Sequence, residues 1–149
     1  YTLPSFEFIG LFSPRISDKK NKKEKPMHKL TQDLPISMEA PGTKMANIEW
    51  GGMVVNYVEL PGGADFTPMF EGLPDDKCQC PHWGYVLKGA VFTRYADGSE
   101  EKTEAGEVFY WPPGHTGWVE VDSVFIDFSP AEEFSVVAEH LAKKMEQAS

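Results

Sequence analysis

The sequence predicts an all-β domain, an antiparallel sandwich or barrel of short strands, followed by a C-terminal α-helix. Two observations carry the β prediction. From Asn47 to Ser129, short apolar runs alternate with turn signals at a spacing of roughly 8–12 residues. The 149 residues include 13 Gly and 12 Pro, and 13% are aromatic, which suits many short elements separated by turns. The third observation is a switch to helical period near the end of the chain. A chain of this length makes one ordinary domain, and 41% hydrophobic with 25% charged residues can bury a core.

Residues 1–26 stand apart as an irregular arm and linker. The opening YTLPSFEFIGLF is apolar, but no charge precedes it and no small-residue cleavage site follows, so it lacks the layout of a secretory signal. SDKKNKKEKP at 17–26 reads as a polar linker, and Met27 follows directly. The segment reads either as an appended, non-native stretch or as an arm that packs on a partner subunit. The domain proper is expected over 27–149, with its β part over about 45–129.

The strands follow in order. NIEWGGMVVNYVEL is two runs broken at Gly51-Gly52, and Pro61-Gly62-Gly63 stops the second. WGYVLKG and AVFTRY come next, and Asp97-Gly98 ahead of SEEKTE is the signal of a type I′ hairpin. GEVFYWPPG, HTGWVEV and, past Asp122-Ser123, SVFIDFS complete the set. In the last run Val124, Ile126 and Phe128 share one face by the period of two. The helix is expected over about 130–147. Phe134, Val137, Ala138, Leu141 and Met145 form its apolar stripe, and His140 falls on the exposed, polar side. Ser129 suits the N-cap, Pro130 the first helical position and Glu132 a capping box, while Lys143 and Lys144 complement the C-terminal dipole.

Charge narrows the partners. Residues 1–29 carry net +4 and the remainder net −13, within a total of −9. An acidic body repels phosphate backbones and anionic lipid, so neither a nucleic-acid nor a membrane partner is expected. The lysine run at 19–25 has no interleaved aromatic on which a base would stack. No apolar run approaches the ~18–20 residues of a membrane span. Two cysteines without a disulfide framework fit a reducing, cytoplasmic setting.

The chemistry concentrates in Asp75-Asp76-Lys77-Cys78-Gln79-Cys80-Pro81-His82-Trp83-Gly84-Tyr85. Two thiols and an imidazole within five residues are all transition-metal ligand types. An extended strand would hold Cys78 and His82 about 13 Å apart, so sharing one ion requires a bend, for which Pro81 is the natural place. Cys80 with His82 needs less bending. The plain alternatives are buried cysteines serving as small hydrophobes and a solvated acidic turn at Asp75-Asp76. A Cys78–Cys80 disulfide would be strained at this separation. Further on, Gly106-Glu107-Val108-Phe109-Tyr110-Trp111-Pro112-Pro113-Gly114-His115 ends a strand in a turn that delivers a second histidine, which on its own reads as a surface residue.

Together these two segments resemble the paired motifs of the cupin superfamily, small double-stranded β-helix (jelly-roll) domains. Tyr85-Val86-Leu87-Lys88-Gly89 looks like the end of the first motif, and Gly106 through Pro112-Pro113-Gly114 like the start of the second. The resemblance covers about residues 45–129. Counting back from Gly89, His82 stands where the family has its Glu, with Cys78 and Asp76 at the two His positions. In the second motif the family's His position falls on Gly117, and His115 comes two residues early. A branch of small cupins is similar in carrying a Cys, three residues, His, then Gly-Tyr-Val-Leu, and a Pro-Pro-Gly-His turn.

The resemblance implies one divalent transition metal ion, Zn or Fe, held by Cys78, His82 and His115 with Cys80 as competitor. It implies a small-molecule pocket walled by Trp83, Tyr85, Trp111 and Trp118, and a homodimer. The expected function is that of a metal-binding cupin acting on a small molecule, in the oxygenase, isomerase or decarboxylase classes. The alternative is a non-catalytic cupin that binds or senses a small ligand. A redox role for Cys78 or Cys80 ranks last, because Asp75 and Asp76 are expected to raise a neighbouring thiol's pKa.

Overall fold

The computed structural model describes residues 26–148. The expected arm therefore lies outside the described residues except for Pro26. Among the described residues nine strands form two sheets: β1 (Ile36–Ala40), β2 (Thr43–Trp50), β3 (Met53–Leu60), β4 (His82–Lys88), β5 (Ala90–Arg94), β6 (Glu100–Glu104), β7 (Val108–Trp111), β8 (Thr116–Trp118) and β9 (Ser123–Pro130). A six-stranded sheet runs β1-β2-β3-β9-β4-β7 and a three-stranded sheet runs β6-β5-β8, all pairs antiparallel. A one-turn helix α1 (Thr67–Phe70) and the long helix α2 (Ala131–Gln147) complete the fold. The architecture is the expected jelly-roll sandwich with a C-terminal helix, and its strands begin at Ile36, ahead of residue 45.

Local chemistry sets the turns. Gly51 and Gly52 both have positive φ (58° and 79°) and join β2 to β3 with Trp50 opposite Met53. That is the two-residue hairpin that needs φ > 0 at both central positions. The Asp97-Gly98 turn differs from the I′ expectation. Only Gly98 takes positive φ (85°), the Gly98 amide donates to the Tyr95 carbonyl at 3.0 Å, and the Tyr95 amide donates to that of Ser99 at 2.9 Å. Asp97 instead spends its carboxylate on the Ser99 amide and hydroxyl, giving a three-residue loop closed by a left-handed glycine. At Gly89 (φ 73°) the chain steps from one sheet to the other.

The core lies between the sheets. Val58, Leu60, Val86, Val91, Trp111, Val119 and Phe125 form one cluster, and Phe70, Leu73, Cys78, Cys80 and Val137 a second one beneath the helices. In β3 the buried set is Val54, Asn56, Val58 and Leu60; in β9 it is Ser123, Phe125, Asp127 and Ser129. The alternation in β9 is therefore as expected, but Val124, Ile126 and Phe128 occupy the outer face.

Helix α2 packs its expected stripe inward through Phe134, Val137 and Leu141. Its N-terminus differs from the capping-box expectation. Pro130 is the last strand residue and the cap position, no side chain caps the helix, and Ser129 is a fully buried strand residue. His140 is also not on an exposed face. Its ring packs over Gly72, with Cε1 3.1 Å from where a Cβ would stand.

Candidate metal centre

The site starts with backbone pairing. Cys78 and His115 form an isolated antiparallel β-bridge. The Pro112-Pro113-Gly114 turn ends β7 and delivers His115 to this bridge, where Gly114 has φ 90°. After Cys78 the chain bends at Cys80 and re-enters the six-stranded sheet at His82. The bend folds four residues back on themselves, so Cys78 Sγ lies 3.4 Å from His82 Nε2. One ligand atom from each of Cys78, His82 and His115 lies within 4.8 Å of the others. All three residues are buried.

Two hydrogen bonds orient the imidazoles. His115 Nδ1 lies 2.7 Å from the Pro112 carbonyl, which only accepts, so Nδ1 carries the proton and Nε2 is left for another partner. His82 Nδ1 lies 2.6 Å from Ser129 Oγ. The Ser129 hydroxyl donates to Asp127 Oδ1 at 2.9 Å, so His82 Nδ1 must donate in turn to Ser129. Asn56 Nδ2 donates to the same carboxylate oxygen at 2.8 Å, across the β3–β9 pair in which Asn56 faces Asp127. Both rings thus turn Nε2 toward the thiol, held by partners of the kind that set tautomer and orientation in metal sites.

Electrostatics follows the geometry. Burial raises the Cys78 thiol, but the hydrogen bonds and charges of His115 and His82 more than reverse this and bring it down to about 6. Burial lowers His82, and the charge and hydrogen bond of Asp127 together with Cys78 carry it up to about 10. The expectation that Asp75 and Asp76 raise the nearby thiol does not hold for Cys78. Both aspartates are exposed in a turn with positive φ, and Asp76 accepts the Gly72 amide at 2.9 Å. Cys80 behaves oppositely: burial, then Cys78 and Asp127, push its thiol up to about 12. Cys80 also stands outside the three-residue group, with Sγ 3.5 Å from the Pro81 carbonyl.

The donor set fits a transition metal. Around a tetrahedral zinc with Zn–S about 2.3 Å and Zn–N about 2.0 Å, sulfur and nitrogen ligands are about 3.6 Å apart. The Cys78–His82 separation of 3.4 Å is close to that. Thiolate with imidazole suits Zn, Fe(II) or Cu over Mg or Ca.

The group sits in the wall of a partly open, mainly apolar cavity of about 70 Å³. Val58, Val91, Trp111 and Phe125 line it from the sheets, and Phe134, Val137 and Leu141 of α2 cover it. Of the four expected pocket aromatics, only Trp111 lines this cavity. Trp83 and Tyr85 alternate with inward-facing His82 and Val86, so they lie on the outer face of the sheet, where Trp83 stacks on Tyr110. Trp118 pairs with Phe92 and stacks on it at 5.5 Å, with the Arg94 guanidinium over its ring. Gly117, the family's second-motif His position, lines the cavity as bare backbone.

The residues that sequence reasoning missed are Asn56, Asp127, Ser129 and the Pro112 carbonyl. The available signal was polarity in step with burial: Asn56 interrupts the Val54, Val58, Leu60 series, and Asp127 and Ser129 continue the Phe125 face.

Comparison with known proteins bears on the fold. No protein-family model and no curated protein sequence matches the chain. Solved structures do match. An RmlC-like cupin from Shewanella frigidimarina aligns with TM-score 0.54 at 18% identity, over 73% of this chain and 95% of that one. The polyketide cyclase RemF from Streptomyces resistomycificus aligns with TM-score 0.53 at 17% identity, over 72% and 80%. KdgF from Halomonas sp. aligns with TM-score 0.51 at 22% identity, over 71% and 94%. The chain has the cupin fold. In this fold the Cys–His–His group lies within metal-binding distance at the wall of the cavity. Among the described residues, no helix is long and apolar enough to cross a membrane.

Proposed function

We propose that this cupin binds one divalent transition ion, Zn or Fe(II), through Cys78, His82 and His115 and acts on a small molecule held in the adjoining cavity. The observation that carries the reading is the convergence of three buried ligand atoms within 4.8 Å on the cavity wall. An ion with three protein ligands supplies Lewis acidity at its remaining coordination position. The chain's own contribution is to present Cys78 as a thiolate and both histidines through Nε2, to hold His82 by way of Ser129 and Asp127, and to exclude bulk water beneath α2. That Cys80 stands apart supports a three-ligand, open site over a closed four-ligand one, and so an enzyme over a purely structural or sensing ion. The reaction belongs to the oxygenase, isomerase or decarboxylase classes that the cupin fold hosts.

Metal content per chain, measured by ICP-MS after reconstitution with Zn or Fe(II) under anaerobic conditions, tests the proposal. About one ion per chain is expected. No retained ion removes the metal-dependent reading.

We also propose a homodimer formed through the outer face of the six-stranded sheet. Trp83, Tyr85, Val108, Tyr110 and Phe128 are all exposed there, and a contiguous apolar patch of this kind marks an interaction surface. Analytical ultracentrifugation of the wild type and of Tyr110→Lys is the test: a dimer that becomes a monomer supports it, and a monomeric wild type overturns it. Both cysteines are free, which supports placement in the reducing cytoplasm.

A further inference from the structure

We propose that the cavity takes a small uncharged molecule whose oxygen accepts the indole N–H of Trp111, with the hydroxyl of Thr93 as a second polar contact. The inference rests on the functional reading above, for which it names the ligand class. Trp111 and Thr93 both line the cavity and are 7% and 1% exposed, yet among the described residues Trp111 Nε1 and Thr93 Oγ1 have no hydrogen-bond partner. Buried polar atoms almost always have one. The other polar side chains of this wall do: Asn56 donates to Asp127, Thr116 bonds Thr67, His82 bonds Ser129 and His115 bonds the Pro112 carbonyl. A third unpartnered atom, His140 Nε2, belongs to a residue that does not line the cavity.

The chemistry of these two atoms restricts the ligand. An indole N–H only donates, so the atom facing it must be an acceptor. A threonine hydroxyl either donates or accepts, so the ligand oxygen is a carbonyl or a hydroxyl. Charge restricts it further. Among the described residues, no lysine or arginine lines the cavity, whereas Asp127 does. With no lysine or arginine to pair it, an anion there would be an uncompensated buried charge, which is strongly unfavourable. Size sets the last limit. A cavity of about 70 Å³ is roughly half the ~150 Å³ that holds benzene, room for about three or four non-hydrogen atoms. The remaining wall is apolar, with Val58, Val91 and Phe125 facing the carbon part. A short ketone, aldehyde or alcohol meets all of these conditions, as does the oxygen-bearing end of a longer one.

Trp111 is its own reporter. The full chain has four Trp, so ¹⁵N-labelled protein shows four indole N–H resonances, and Trp111→Phe assigns one of them. The resonance is followed while acetone, ethanol or acetate is added, with zinc-loaded and metal-free samples run in parallel and their ion content measured. Acetone and acetate have nearly the same shape and differ in charge. A saturable shift of the Trp111 indole with acetone or ethanol, at least tenfold weaker with acetate, is the expected result. Thr93→Val, which keeps the shape and removes the hydroxyl, is expected to weaken acetone binding about fivefold. No saturable shift with acetone or ethanol, or an equal response to acetate, overturns the inference. Absence of bound zinc in the wild type would count against the metal reading alone, since the indole titration reads the cavity in either state.

Discussion

Cys78 and His115 face one another across a two-hydrogen-bond β-bridge, the Cys78 amide donating to the His115 carbonyl at 2.9 Å and the His115 amide to the Cys78 carbonyl at 3.2 Å. Backbone pairing therefore brings two of the three candidate ligands together with no help from an ion. The third, His82, arrives through the bend at Cys80 and is held from behind by Ser129. A site assembled in this way costs little reorganisation when an ion binds.

The first prediction concerns which side chains hold that ion. Wild type and Cys80→Ser are expected to retain about one transition ion per chain, and the His82→Ala/His115→Ala double variant to retain none after dialysis. ICP-MS on the three proteins gives the answer. Loss of the ion from Cys80→Ser with retention in the double variant would place the site elsewhere.

Asp127 and Ser129 are not in the three-residue ligand group, yet they set the His82 tautomer. Replacing either by Asn or Ala, respectively, is expected to weaken zinc binding by about 10–100-fold. Competition with a chromogenic chelator measures this directly. Asp127→Asn keeps the shape of the side chain and room for the Asn56 contact, so undiminished affinity would show that its charge does not support His82.

How much of this was legible in the sequence depends on which residue is considered. The cup, the helix and the pairing of two chemistry-bearing segments followed from strand spacing, helical period and motif resemblance. A bend between Cys78 and His82 followed only on the premise that the two share one ion, since an extended chain holds them too far apart; expected at Pro81, it falls at Cys80. The faces of β4 and β9 did not follow. Apolar residues ordinarily mark the buried side, but Trp83, Tyr85, Ile126 and Phe128 lie on the outer face, while Asp127 and Ser129 point into the cup. Ser129 read as an N-cap for the same reason. Its local chemistry suits that role, and only the tertiary pairing of β9 with β3 and β4 turns it to His82.

The acid–base state of the metal-free site is the third prediction. A thiol pKa depressed from its ordinary value makes a stabilising contribution that is full above that ordinary value, near 9, and is lost as pH falls through about 6. A raised histidine contributes fully below 6.5 and loses that contribution as pH rises through about 10. The two shifts describe one thiolate–imidazolium contact, intact between about 6 and 10. Thiolate ultraviolet absorbance of metal-free protein is therefore expected to rise with a midpoint of about 6 and to reach one thiolate per chain at pH 8, since Cys80 stays protonated until about 12. Cys78→Ser should abolish the step. A midpoint close to 9 would mean that the histidines do not stabilise the thiolate.

The last prediction ties the strand that carries His82 to the cavity wall. Gly84 sits in β4 between β7 and β9, opposite Phe109 and Asp127. A Cβ there would collide with the Phe109 ring and the Ile126 carbonyl oxygen. Phe109 in turn stacks on Trp111 with ring centroids 3.9 Å apart, and Trp111 lines the cavity. Gly84→Ala is therefore an overpacking change, expected to cost about 1–3 kcal/mol and to lower Tm by several degrees. Gly98→Ala is a useful contrast, because its Cβ meets nothing within 4 Å and its cost comes only from the positive φ of 85°. Differential scanning fluorimetry of both variants, with ICP-MS alongside, separates the two effects. Gly84→Ala should lose more stability than Gly98→Ala and still hold its ion, since none of the three candidate ligands is removed. An equal Tm for Gly84→Ala and wild type would mean that the Phe109 ring is free to turn away, and that its stack on Trp111 does not hold the cavity wall in place.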